Sequence, residues 1–253
     1  MIKRFYSLVM VLLMGCSGDT APAPSGLHFL ALGDSYTIGE GVESSQTWPA
    51  QLADALRQQK IAVADPKIVA TTGWTTADLS AAMDQANFTS DYDLVGLLIG
   101  VNNQFQGRSQ EEYRQQFDTL LHRAITLARG STKHVFVVSI PDWGVTPFAG
   151  QVNADRAEVG KEIDQFNAIA KDLTVTAGVQ FIDITPITRH RKDLVADDGL
   201  HPSAQMYGLW VQKILPIVMA ELGSSPTSAP APSATMPSTV APVSSPVGAA
   251  STH

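Results

Sequence analysis

The chain carries one cysteine, Cys16, in 253 residues. A lone thiol excludes an internal disulfide framework and any cysteine-based zinc cluster. Long apolar runs are missing too. The longest, Phe5 to Met14, falls far short of the roughly 20 residues that a membrane-spanning helix needs. Positive charge is scarce: 17 Lys and Arg stand against 24 Asp and Glu, for a formal net charge of −7. The balance falls by two more, to −9, once Lys3 and Arg4 are removed. No basic surface is then available overall for a phosphate backbone, which argues against a nucleic-acid partner. What is present, 44% hydrophobic and 16% charged residues, suits a globular core and excludes a wholly disordered or collagen-like chain.

Both ends read as segments outside that core. Met1 to Arg4 is basic, Phe5 to Met14 is apolar, and Leu13-Met14-Gly15-Cys16 follows, the layout of a cleaved export signal over residues 1–15. The Leu-x-Gly-Cys ending resembles the lipobox of bacterial lipoproteins, with Met14 in place of the small residue more usual there. The resemblance implies that Cys16 is lipidated and becomes the mature N-terminus. Two or more acyl chains would then hold the protein at a membrane in the cell envelope, on its periplasmic or cell-surface face. Residues 16–25 form a polar tether. Residues 224–253 hold eight Ser, six Pro, six Ala and four Thr and no Asp, Glu, Lys or Arg. Such a segment has too little apolar bulk to offset the entropy of ordering it, so it reads as a disordered spacer.

Residues 26–223 remain for one domain. Five β-rich apolar runs stand out: His28–Leu32, Ile61–Ala70 with a break at Asp65-Pro66, Leu94–Ile99, His134–Ile140 and Val179–Ile184. Helical patterns lie between them: Trp48 to Leu56, the 3–4 spacing of Tyr113, Phe117, Leu120, Ala124 and Leu127, and that of Ile163, Phe166, Ala170 and Leu173. A last helix, Ser203 to Leu222, contains Pro216, which should kink it or end it early. Such alternation indicates an α/β fold, a parallel sheet covered on both faces.

In open parallel sheets ligands bind beyond the carboxyl ends of the strands. Five loops fall on that edge: Gly33-Asp34-Ser35-Tyr36, Thr72-Gly73-Trp74-Thr75, Gly100-Val101-Asn102-Asn103, Pro141-Asp142-Trp143-Gly144 and Asp198-Gly199-Leu200-His201-Pro202. They supply the parts of an acyl-transfer site. A serine hydroxyl is a weak nucleophile until an imidazole takes its proton, and the imidazole needs an acceptor to fix its tautomer. Ser35, His201 and Asp198 fill those roles; of six histidines, only His201 has an acid three residues upstream. The Ser35 amide, the Gly73 amide and the Asn102 side chain can meet the oxyanion. Neither metal nor cofactor is required. Taken singly, Ser35 reads as a helix cap, and Gly73, Asn102 and Asn103 as turn formers. Their order and context give them weight. Trp74 and Trp143 either line the substrate pocket or pack the sheet edge, and Arg189-His190-Arg191-Lys192 reads as a solvated basic loop.

The Gly-Asp-Ser start, the lone glycine, the Gly-x-Asn and the Asp-x-x-His end together resemble the four blocks of the SGNH, or GDSL-type, esterases and lipases. The likeness spans nearly the whole core. It implies a flavodoxin-like three-layer α/β/α sandwich with a five-stranded parallel sheet, and active-site positions at Ser35, Gly73, Asn102 and His201 with Asp198 as partner. Two residues depart from the pattern: Tyr36 stands for leucine after the serine, and Asn103 for aspartate after the asparagine. Other chemistries lack their markers. The chain has no Gly-x-Ser-x-Gly elbow, no Gly-x-x-x-x-Gly-Lys-Ser/Thr loop, no Gly-x-Gly-x-x-Gly and no His-Glu-x-x-His. The expected activity is hydrolysis of acyl esters, whether small-molecule, lipid or acylated glycan, through an acyl-enzyme intermediate. A deacetylase of acetylated glycans and a non-catalytic surface binding protein on the same scaffold are the alternatives.

Overall fold

The computed structural model describes residues 26–86, 88 and 92–224; the signal, the tether and residues 225–253 lie outside them. Five strands, Phe29–Gly33 (β1), Lys67–Ala70 (β2), Leu94–Leu98 (β3), Val135–Val138 (β4) and Gln180–Ile182 (β5), form one parallel sheet in the order β2-β1-β3-β4-β5. This is the doubly wound order in which the winding reverses between β1 and β3, the usual place for a ligand. Gly33 pairs with both Ala70 and Leu98. Three neighbouring strands therefore end level, and their following turns start from one edge.

The interior strands β1, β3 and β4 are buried at every position, whereas the edge strands β2 and β5 are partly exposed. Strands covered on both faces read as continuous apolar runs. The cover comes from the helices Ser35–Ile38 (α1), Trp48–Gln58 (α2), Thr76–Gln85 (α3), Val101–Phe105 (α4), Gln110–Leu127 (α5), Pro147–Gln151 (α6), Arg156–Thr176 (α7), Thr185–His190 (α8) and Ala204–Ser224 (α9). α2 packs with α9, while α5 packs with α3 and α7, giving the expected α/β/α sandwich. On α2, Trp48, Leu52 and Leu56 recur every four residues and are fully buried. Trp48 meets Phe29 and Phe136 of the sheet at ring distances of 6.1 and 5.9 Å. Burial of each such side chain contributes about 1.5–3 kcal/mol. Side-chain caps set the starts: Thr47 for α2, Thr75 with Asp78 for α3, Ser109 for α5 and Asp155 for α7.

Two sequence expectations need correction. The run Ile61–Ala70 pairs as a strand only from Lys67, because Pro66 has no amide to give the ladder; upstream, Val63 makes an isolated bridge to Leu27. Pro216 does not end α9, which continues to Ser224. The proline costs one intrahelical hydrogen bond, and the buried Ile214 and Val218 on either side hold the helix against the core.

Candidate active site

Everything begins at the end of β1. Asp34 is fully buried, and its Oδ1 accepts the Tyr36 amide at 3.0 Å, so the carboxyl caps α1. Its Oδ2 has no hydrogen-bond partner among the described residues. Burial pushes the Asp34 carboxyl up to about 7, against the pull of the nearby amides of Tyr36, Asp34 and Gly100. Ser35 follows as the first residue of α1, where an amide has no acceptor inside the helix.

The loops after β2 and β3 are stitched together by their asparagines. Asn102 Nδ2 donates to the Trp74 carbonyl at 2.9 Å, leaving its second N–H available. Asn103, wholly buried, receives the Thr76 amide at 3.0 Å and donates to Thr76 Oγ1 at 2.7 Å. Asn103 thus buttresses the loop while Asn102 faces the cleft. Gly73 has φ +85, and a Cβ there would meet nothing within 4 Å. Its conformation, not crowding, asks for glycine, and its backbone lies open. Gly100 has φ +131 and rests against the Tyr113 ring, 2.6 Å from where a Cβ would sit. The Tyr113 hydroxyl donates to the Ile99 carbonyl at 3.2 Å, fixing the end of β3.

The fifth loop brings acid and imidazole together. His201 Nδ1 lies 2.6 Å from Asp198 Oδ2, and Asp198 Oδ1 accepts the Leu200 and His201 amides at 2.8 and 2.9 Å. Partial burial pushes the Asp198 carboxyl up. The hydrogen bonds from the His201 ring and from those two amides outweigh it, and the group is held below the ordinary carboxylate range. Tyr36 meets the His201 ring edge-on at 5.5 Å, so the residue that departs from the family pattern supports the imidazole.

Ser35, Gly73, Asn102 and His201 line a single cleft of about 170 Å³. Its far wall is a group of three rings, Phe105, Trp143 and Phe148, with centroids 5.4 to 6.4 Å apart. Trp143 Nε1 donates to Gln104 Oε1 at 2.7 Å, and Gln104 Nε2 donates to Glu162 at 2.7 Å. Trp74 does not line the cleft. Gly73 turns the chain so that the Trp74 amide meets the Thr71 carbonyl, and the indole packs on the core. Of the basic run, His190 and Lys192 are exposed as expected, whereas Arg189 is only partly solvated: it reaches Asp142 Oδ2 at 2.8 Å and Asp164 at 2.9 Å. Asp142 in turn caps the turn that carries Trp143. Phe105 and Phe148 carry no motif of their own in the sequence, although both follow strands on the edge where the site lies. Phe105 lies three residues after Asn102, hence on the same face of α4.

An Asp–His pair, a serine at a helix start and several donors around one water-accessible cleft can perform acyl transfer. The model of the GDSL-like lipase/acylhydrolase family matches residues 31–209. A GDSL lipase of Mycobacterium tuberculosis (strain ATCC 25618 / H37Rv) is 26% identical over 212 residues, covering 76% of this chain and 81% of that protein. Among solved structures, a lipase/acylhydrolase from Enterococcus faecalis is similar in fold with a TM-score of 0.62 at 17% identity. The match covers 77% of this chain and 96% of that one. The phospholipase A1 of Streptomyces albidoflavus NA297 gives 0.57 at 19% identity, covering 78% and 100%. The chain belongs to the GDSL-like lipase/acylhydrolase family of ester-hydrolysing enzymes.

Proposed function

We propose that the chain is a serine esterase or lipase that hydrolyses carboxylic esters through an acyl-enzyme intermediate on Ser35. The observation that carries this reading is the Asp198–His201 pair, whose imidazole opens onto the cleft that holds Ser35. As Ser35 Oγ attacks the ester carbonyl, His201 Nε2 takes its proton, and Asp198 holds Nδ1 protonated and stabilises the imidazolium. The Ser35 and Gly73 amides and the free N–H of Asn102 meet the developing oxyanion. Collapse expels the alcohol, which takes the proton from His201. Water then repeats the sequence on the acyl-enzyme and releases the acid.

The proposed setting is the cell envelope, with export directed by residues 1–15 and anchoring through a lipidated Cys16. Hydrolysis of p-nitrophenyl esters from acetate to palmitate, run beside an acetylated glycan, tests the substrate class. Turnover of the simple esters supports the reading. Turnover of the glycan alone would replace it with a glycan deacetylase, and no turnover of either would contradict it.

A further inference from the structure

Leu200 lines the cleft. This side chain, with Tyr36, lines both the cleft and a second cavity of about 20 Å³ between the loops that follow β4 and β5. Such a space holds about one water. Three of the polar residues that border it, Asp142, Thr146 and Thr188, are already engaged within the protein, and Lys192 borders it as well. Asp142 binds the Gly144 amide and Arg189, the Thr146 hydroxyl donates to the Trp143 carbonyl, and the Thr188 hydroxyl donates to the Thr185 carbonyl. The far side of Leu200 is therefore a mostly apolar space, with Val145, Leu194, Val195 and Met206 around it and Lys192 at its border, too narrow for a chain as it stands.

The backbone that carries Leu200 is also held in place. Its amide donates to Asp198 at 2.8 Å, and the Gly199 carbonyl before it accepts the Phe148 amide at 2.9 Å. Moving that backbone aside would disturb the loop that pairs Asp198 with His201. We propose that Leu200 is the specificity-determining end wall of the cleft, a fixed stop that limits the acyl chain lying along Phe105, Trp143 and Phe148. This rests on the ester-hydrolase reading above. The assignment to the acyl side follows from position: the carbonyl must sit beside Asn102, and Phe105 begins the ring wall one turn further along α4. The only polar atom of the Trp143 side chain is taken by Gln104, so the indole offers an apolar surface that suits hydrocarbon.

The test is the ratio of kcat/KM for p-nitrophenyl octanoate to that for p-nitrophenyl butyrate, which loss of folded enzyme leaves unmoved. Each newly buried methylene is worth about fourfold in binding. Wild type should favour butyrate. Leu200→Ala, which joins the two cavities, should raise the ratio more than tenfold, and Leu200→Phe should lower it. Leu200→Val, the mildest change, should move it in the same direction as Ala. Unchanged ratios in the Ala and Val variants would overturn the proposal while leaving ester hydrolysis intact. So would a response confined to the alcohol chain in a series of alkyl acetates. A wild type inert toward every ester would instead sink the functional reading itself, a result read before any variant is made.

Discussion

Asp198 holds His201 twice, accepting from its ring at 2.6 Å and from its own backbone amide at 2.9 Å. The first bond sets the tautomer and the second sets the loop. Asp198→Asn can keep the second through Oδ1 while presenting an NH₂ group to Nδ1, which moves the ring proton to Nε2, where a base is needed. The expected result is a fall in kcat of about 10³–10⁴ with KM and melting temperature nearly unchanged. Steady-state kinetics and a melting curve on one preparation check it; unaltered kcat would remove Asp198 from the mechanism.

The neighbouring asparagines should separate cleanly. Asn102→Ala removes a donor to the transition state and should cost about 10²–10³ in kcat. It should cost only about 1 kcal/mol of stability, from the bond to Trp74. Asn103→Ala strands the buried Thr76 amide and should destabilise by about 2 kcal/mol with a smaller loss of kcat at temperatures where the protein stays folded. If Asn103→Ala lost more kcat than Asn102→Ala at such temperatures, these assignments would be reversed.

Asp34 makes a prediction about pH. Its folded pKa, about 7, lies above the ordinary 3.8. Across that window the folded state binds the extra proton, so the contribution is fully present below about 3.8 and is lost as pH rises through 7. Asp34→Asn keeps an acceptor for the Tyr36 amide and does not titrate. The stability of Asp34→Asn relative to wild type should therefore improve between pH 5 and pH 7 by about 2 kcal/mol. Melting temperatures of both proteins across that range test it, and a flat difference would show that Asp34 stays charged.

Much of this was legible in the sequence because it rests on short-range chemistry. Asp198 lies three residues from His201, so one loop can bring them together, and Ser35, Gly73 and Asn102 each follow an apolar run that reads as a strand. What escaped depends on long-range packing. Nothing local says that Asn103 will meet Thr76, 27 residues away, that Arg189 will clamp Asp142 across 47, or that Trp74 will turn to the core while Phe105 and Phe148 face the cleft. Pro216 misled in the same way, since tertiary burial of α9 overrides its local cost.

The proposed anchor has its own check. Wild type should fractionate with membranes and carry a lipidated Cys16, while Cys16→Ser should not be processed or fractionate in the same way. An unmodified mature N-terminus downstream of Cys16, read by mass spectrometry, would contradict anchoring and leave the esterase reading untouched.

The central claim is that Ser35 is the nucleophile, and turnover of p-nitrophenyl butyrate by Ser35→Ala tests it most directly. The account predicts a protein with a native melting temperature and kcat lower by about 10⁴-fold or more, because nucleophile and base act as a unit. A folded Ser35→Ala protein that keeps wild-type turnover would contradict it.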